Sequence, residues 1–180
     1  MICDKLRTCM NEQFAGRKIS TCINNNCEIC VESSDRRSKV KCEERNKKYV
    51  LENTERNHII SYKMDGGIVV EDKTLQKDTR KCDYMYLIDG KKQYAILVEL
   101  KGVDVAHALR QIHGTLILYQ DFFGGLSQVY GRVVVASSTP NLKASPGYVN
   151  LSRFIRRAYN GNIKIKEKIF VEKDTELNAK

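Results

Sequence analysis

Apolar residues in the second half of the chain form short runs that are typical of buried strands, together with one longer helical pattern. Strand composition marks residues 82–88, 94–101 and 129–137. Asp89 and Gly90, between the first two runs, predict a hairpin turn. Residues 104–122 repeat apolar side chains at helical spacing after Asp104, which suits a helix start. The pattern therefore predicts two hairpin strands, a helix and a further strand, in that order.

The flanking segments carry weaker patterns. Residues 43–57 are predicted to form a polar helix, and residues 58–70 an extended segment with a turn or bulge at residues 65–67. Further predictions are a charged connector at residues 72–81, a short helix at 151–159 and one exposed or edge strand at 163–171. Residues 1–42, rich in Cys, Asn and Ser, are predicted to be an irregular N-terminal segment ahead of a domain at residues 43–180, and the alternative is that they pack against the core of that domain.

Length and composition narrow the class of protein. A chain of 180 residues with 42% hydrophobic residues is expected to form one globular domain, which excludes collagen, coiled coils and disordered tails. No apolar run suits a membrane span or a secretion signal, so a soluble protein of the reducing cytoplasm is expected. The net charge of +9 suits a polyanionic partner, although a solvated basic surface explains the charge equally well.

Seven cysteines raise the question of metal or disulfide chemistry. They are Cys3, Cys9, Cys22, Cys27, Cys30, Cys42 and Cys82. An odd number without a secretion signal argues against a disulfide framework. Cys27 and Cys30 form one CxxC pair, but a structural zinc site would require a second close pair. Reduced thiols are therefore favoured over zinc, and zinc over an iron–sulfur cluster.

Three charged residues are predicted to meet at one end of the hairpin. Glu99 and Lys101 share a strand face, and pairing about the turn brings Asp83 close to both. Two carboxylates can hold a hard divalent cation, and a neighbouring ammonium can orient its water, which suits phosphodiester cleavage. The alternative is that Asp83 caps a loop and that Glu99 and Lys101 form an ordinary ion pair.

The order of these residues resembles the PD-(D/E)xK nuclease superfamily, which has the restriction-endonuclease-like fold. The resemblance covers residues 58–139 and rests on Asp83, the Glu99-Leu100-Lys101 motif, the following helix and the strand around residue 133. Cys82 stands where the family often has proline. The resemblance implies an α/β fold with a mixed β-sheet flanked by helices, and Mg2+- or Mn2+-dependent hydrolysis that leaves a 5′-phosphate.

The resemblance also implies roles for individual residues. Asp83 and Glu99 would ligate the metal, the main-chain carbonyl of Leu100 would be a third ligand, and Lys101 would position or activate water. Gln111 is similar to a glutamine that some exonuclease branches carry on this helix, although a half-buried polar residue is an equal alternative.

An upstream helical acid sometimes completes the metal site in this superfamily. Glu52 and Glu55 occupy the predicted polar helix, where a solvated face is the favoured alternative. Further along the chain, Arg153, Arg156 and Arg157 form one basic helix face, which suits nucleic-acid phosphates or simply solvent.

Two classes of function follow from these patterns. The first is a metal-dependent endonuclease or exonuclease, acting on DNA in preference to RNA, of a kind that often forms homodimers. The second is a catalytically inactive nucleic-acid-binding or scaffold module on the same fold. A third, weaker hypothesis is a zinc-stabilised partner-binding protein built on the N-terminal cysteines.

Overall fold

A computed structural model describes residues 2–17, 30–68, 79–137 and 140–179 of the chain. Its helices are α1 (Ile2–Phe14), α2 (Val105–Leu118), α3 (Gln120–Phe123) and α4 (Pro146–Tyr159). Its strands are β1 (Val31–Asp35), β2 (Lys39–Glu44), β3 (Lys47–Glu52), β4 (His58–Lys63), β5 (Tyr84–Asp89), β6 (Gln93–Lys101), β7 (Gln128–Val135), β8 (Ile163–Glu167) and β9 (Ile169–Lys173). No helix in these ranges is long and apolar enough to cross a membrane.

Six strands form a mixed main sheet in the order β1-β4-β5-β6-β7-β8. The pairs from β1 to β6 are antiparallel, whereas β6, β7 and β8 run parallel. A smaller sheet has the order β2-β3-β9. The expected α/β fold with a mixed sheet and flanking helices is therefore confirmed at this level.

The helices and the small sheet cover opposite faces of the main sheet. Ala95 and Leu97 of β6 belong to the core that includes all four helices, whereas Ile96, Val98 and Leu100 belong to the core under the small sheet. This alternation is the two-residue period of a strand with both faces buried. Glu99 continues the row of Ala95 and Leu97, so its side chain belongs to the helical side of the sheet.

The predicted polar helix at residues 43–57 is wrong, because this segment forms most of the β2–β3 hairpin. Arg45 and Asn46, at its turn, both have positive φ, as two-residue hairpin turns require. Tyr49 and Leu51 alternate with more exposed neighbours and are buried under the main sheet. Tertiary burial of this two-residue pattern outweighs the helix propensity of the charged side chains.

The single strand predicted at residues 163–171 is also wrong, because the chain forms two strands there. Lys168, with φ of 56°, separates β8 from β9. β8 extends the main sheet beside β7, whereas β9 pairs with β3 in the small sheet. One alternating segment therefore links the two sheets.

The described parts of the N-terminal segment are regular, so the prediction of an irregular segment is wrong, whereas the alternative that this region packs against the core is confirmed. Residues 2–14 form α1, whose Leu6, Cys9 and Met10 enter the helical core, and β1 pairs with β4. Cys22 and Cys27 lie outside the described residues, and so does most of the predicted connector at residues 72–81.

The two main helices begin at capping residues. Asp104 accepts a hydrogen bond from the backbone N–H of His107, which confirms the predicted start of α2. α4 begins earlier than predicted, because Ser145 caps it and Pro146 occupies its first turn. Proline is tolerated there because backbone N–H groups in the first turn have no acceptor within the helix.

Candidate functional site

Asp83 and Glu99 meet where β5 begins and β6 ends, as the hairpin predicted. We call this end of the central strands, with Asp83, Glu99 and Lys101, the carboxylate edge of the main sheet. Tyr84 pairs with Val98, and continuing this antiparallel register sets Asp83 opposite Glu99. The Oδ2 atom of Asp83 accepts a hydrogen bond from the backbone N–H of Leu100, with an N–O distance of 2.7 Å. This bond fixes the Asp83 carboxylate against the end of β6, which Lys101 terminates.

Glu99 is the most deeply buried carboxylate of this edge. Its side chain is only 2% exposed, and its Oε2 atom has no hydrogen-bond partner among the described residues. Burial, reinforced by the negative charge of Asp83, raises the pKa of Glu99 to about 9. Lys101 and the backbone amide of Asp83 act in the opposite direction. Without a bound cation, Glu99 is therefore a neutral acid at pH 7.

Asp83 carries the same electrostatic strain to a smaller extent. Burial raises its pKa to about 6, and the nearby carboxylates of Glu44 and Asp65 add to the rise. The Leu100 hydrogen bond and the Lys101 charge lower it. Ionisation of both carboxylates would place more negative charge here than the neighbouring residues neutralise, and a bound cation relieves that condition.

The donor set of this edge suits a hydrated hard cation. Mg2+ is commonly held by one or two carboxylates and retains several waters, a requirement that Asp83 and Glu99 can meet. Among the described residues, no group of three or more His, Cys, Asp and Glu side chains is arranged to hold a metal. The structure shows the Leu100 amide contacting Asp83, and the role of the Leu100 carbonyl as a ligand stays a prediction.

Asp65 is an acidic neighbour that the sequence analysis missed. Asp65 and Gly66 form the turn after β4, and the adjacent Met64 N–H donates to the Asp83 carbonyl oxygen at 2.8 Å. The Asp65 carboxylate forms an ion pair with Lys81 at 3.4 Å. The turn itself was predicted, but its closeness to Asp83 depends on the pairing of β4 with β5.

Glu52 and Glu55 do not complete the site, in agreement with the favoured alternative, although neither residue lies on the predicted helix. Glu52 lies on β3 and forms an ion pair with Lys39 at 3.0 Å. Glu55 lines a cleft together with Lys91 of the β5–β6 turn, at the opposite edge of the sheet. Glu44, at the end of β2, is instead the small-sheet carboxylate whose charge reaches Asp83.

Gln111 acts on Asp83 through the main chain. Its Oε1 atom accepts a hydrogen bond from the Lys81 N–H at 3.2 Å. One turn later, the Thr115 hydroxyl accepts a hydrogen bond from the Cys82 N–H at 2.7 Å. α2 therefore holds the two residues that precede Asp83, and both side chains are positioning residues in this structure.

Replacement of Gly114 by Ala is expected to displace this segment and to lower any activity of the site. A Cβ atom at Gly114 would lie 2.6 Å from both the Cβ atom and the carbonyl oxygen of Arg80. The backbone at Arg80 would have to move, which would break the bonds that Gln111 and Thr115 make. We expect at least a tenfold loss of any activity that depends on Asp83, measured together with thermal unfolding, because misplacement of reacting groups costs about that much or more.

The matched control is Ile117→Ala, on the same helix. Ile117 is 48% exposed, so its truncation should leave that activity and the midpoint of thermal unfolding close to the wild-type values. Full activity of the Gly114→Ala protein would contradict the positioning role of α2.

The predicted arginines do not meet the carboxylates. Arg153, Arg156 and Arg157 are exposed on the C-terminal half of α4. Gln128 lies at the start of β7, and its side chain donates a hydrogen bond to the carbonyl oxygen of Asn160, where α4 ends. The far end of β7 pairs with the end of β6, so about 20 Å of strand separates the end of α4 from the carboxylate edge.

The two carboxylates of this edge are compatible with one hydrated divalent cation, and Lys101 ends the same strand. A divalent cation held in this way could take a phosphate oxygen and water molecules as its other ligands. The resemblance to the nuclease superfamily rests on these residues and on the order of the strands and helix that carry them. No protein-family model matches the chain, and no curated protein or solved structure matches it significantly.

Proposed function

We propose that the protein is a metal-dependent nuclease that hydrolyses phosphodiester bonds, in DNA in preference to RNA, through Asp83, Glu99 and Lys101. One observation carries this proposal. Glu99 is buried, unpartnered at Oε2 and electrostatically strained by Asp83, at a strand end that also presents Lys101. Proteins rarely bury a carboxylate without a partner, and such groups concentrate at functional sites.

The chain's own residues divide the chemistry between them. Asp83 and Glu99 would hold Mg2+ or Mn2+, which supplies a polarised phosphoryl oxygen and a more acidic bound water. The Leu100 N–H keeps the Asp83 carboxylate at the end of β6. To hold the cation, Glu99 would first have to lose its proton to solvent. The Lys101 ammonium orients the attacking water and offsets charge on the phosphoryl group in the transition state.

The alternative of an inactive binding or scaffold module rests on the same buried residue. A neutral Glu99 extends the row formed by Ala95 and Leu97, so it is compatible with a purely structural role in the helical core. Partners also stay predictions, including nucleic acid and a second copy of the chain.

The deciding experiment combines cleavage with cation binding. Linear, circular and single-stranded DNA, and RNA, are incubated with the protein in Mg2+, Mn2+ or EDTA. We expect cation-dependent cleavage that Lys101→Met abolishes while cation binding, measured by calorimetry, persists. Binding of nucleic acid without cleavage in any cation would favour the scaffold alternative. Unchanged cleavage by Lys101→Met would exclude the proposed mechanism.

A further inference from the structure

A groove of about 920 Å³ lies between α2 and α4. It begins beside Val103, two residues after Lys101, and reaches His113 on α2 and Phe154 on α4. The helical residues from Val105 to His113 span about 12 Å along α2. The groove therefore starts near the carboxylate edge and leads away from it along the surface.

The floor of the groove is apolar and contains a fixed aromatic ring. Leu109, Leu151 and Phe154 are among its lining residues. The Phe154 ring makes edge-to-face contacts with His113 at 5.3 Å and with Tyr159 at 5.8 Å between centroids. A ring held in this way offers a stacking surface at little cost in conformational entropy.

Two arginines lie at the outer side of the groove. Arg110 lines it on α2, whereas Arg157 lies just beyond the lining residues, three residues after Phe154 on α4 and about 60° away around the helix. Asp104 is the single acidic lining residue in the described part of the chain, and its carboxylate is engaged in capping α2. An apolar floor with arginines at its outer side matches a strand with planar bases and a phosphate backbone.

We propose that this groove binds an unpaired nucleic-acid strand and leads it to the Lys101 edge. The bases lie against the floor at Phe154, and the phosphates follow Arg110 and Arg157. Bases already stacked in a duplex have no free face for Phe154, so the groove selects single strands or overhangs. This inference deepens the proposed nuclease function and rests on it for the direction of the strand, but the binding itself requires no cleavage.

The test is fluorescence anisotropy in EDTA, where metal-dependent cleavage cannot occur. The probes are an oligothymidylate of about 15 nucleotides and a duplex of equal length. We expect tighter binding of the single strand, and a loss of roughly tenfold on Phe154→Ala. Thermal unfolding checks that this half-buried substitution leaves the protein folded.

Two exposed substitutions test the two arginines without disturbing the core. Arg110→Gln and Arg157→Gln should each weaken single-strand binding and lower the slope of log affinity against log salt by about 0.7. Lys91→Gln is the matched control, because it removes one positive charge at the opposite edge of the sheet. It should leave the affinity and the slope close to wild type.

The outcomes separate this inference from the nuclease proposal. Equal or tighter binding of the duplex, or wild-type affinity of the Arg110→Gln protein, would overturn the proposal that the groove binds a single strand. So would an equal loss on Arg156→Gln, since Arg156 lies about 160° around α4 from Phe154. A small apolar dye that binds in the groove and is not displaced by the oligonucleotide would also overturn it. Groove-dependent binding without cleavage would instead refute only the nuclease.

Discussion

Replacement of Glu99 by Gln is expected to abolish cleavage while making the metal-free protein more stable at pH 8. Glutamine reproduces the shape of the neutral acid that burial favours, but it cannot supply a carboxylate to a cation. Loss of one metal ligand should cost several kcal/mol of transition-state stabilisation, or about 10³-fold in rate. The stabilisation should be on the order of 2 kcal/mol, measured by urea unfolding in EDTA.

The raised pKa of Glu99 makes the wild-type protein less stable as the pH rises, which is why Glu99→Gln should be stabilising at pH 8. The pKa of Glu99 is raised from 4.5 to about 9, so between these values the folded protein retains a proton that the unfolded chain releases. The unfolding free energy of the wild type therefore falls as the pH rises through this window, by at most about 1.4 kcal/mol per pH unit. The raised pKa of Asp83, about 6, adds a fall in the same direction at lower pH.

Above pH 6, the unfolding free energy of the Glu99→Gln protein should change much less with pH than that of the wild type, because Asp83 has mostly titrated by then. Added Mg2+ should stabilise the wild type more strongly at pH 8 than at pH 6 and should leave Glu99→Gln unaffected, because loading requires the ionised carboxylate. A Glu99→Gln protein that retains full cleavage would remove Glu99 from the mechanism. An equally steep pH dependence in that protein would show that another group titrates.

Replacement of Arg132 by Met is expected to destabilise the protein by about 3–5 kcal/mol. Arg132 is fully buried on β7 and forms an ion pair with Glu172 of β9. Its guanidinium also donates to the Leu177 carbonyl oxygen at 3.1 Å and to the Asn162 side-chain oxygen at 2.9 Å. Removing it leaves the Glu172 carboxylate buried beside Tyr49 without its main cation.

The double variant Arg132→Met/Glu172→Leu should recover part of this loss, because it also removes the buried carboxylate, which the single variant leaves with Lys164 at 3.6 Å as its remaining cation. Urea unfolding measures both variants, and the single change should lower the midpoint of thermal unfolding by about 10 °C. Lys39→Met is the control, since its ion pair with Glu52 is mostly exposed and should contribute less than about 1 kcal/mol. Equal stability of Arg132→Met and Lys39→Met would contradict the structural role of Arg132.

The predictions that held concern neighbours along the chain. The β5–β6 hairpin, the start of α2 and the β7 strand follow from local patterns, because a short turn determines which residues of two adjacent strands meet. Asp83 and Glu99 came together for this reason. The same logic failed at residues 43–57, where charged side chains obscured a hairpin that only the core beneath it explains.

The features that were missed involve contacts between distant segments. Asp65 and Glu44 reach Asp83 through the pairing of β4 with β5 and the packing of the small sheet. Arg132 stands within a run of valines that predicted a buried strand, and nothing near it in the chain indicates its partner Glu172, 40 residues later. For Gln111, the sequence left a role near the substrate and a half-buried polar residue equally open, and the structure shows it half-buried and bonded to the backbone of Lys81.

The amino-acid sequence by itself determined the order of strands and helix in the second half of the chain and the convergence of Asp83, Glu99 and Lys101. Periodicity and turn chemistry act over a few residues, so they can be read without knowledge of the fold. Only the tertiary structure decided how deeply Glu99 is buried, which acids surround it and where the groove between α2 and α4 lies. Desolvation and charge coupling depend on every segment packed around a group, including segments far away in the sequence.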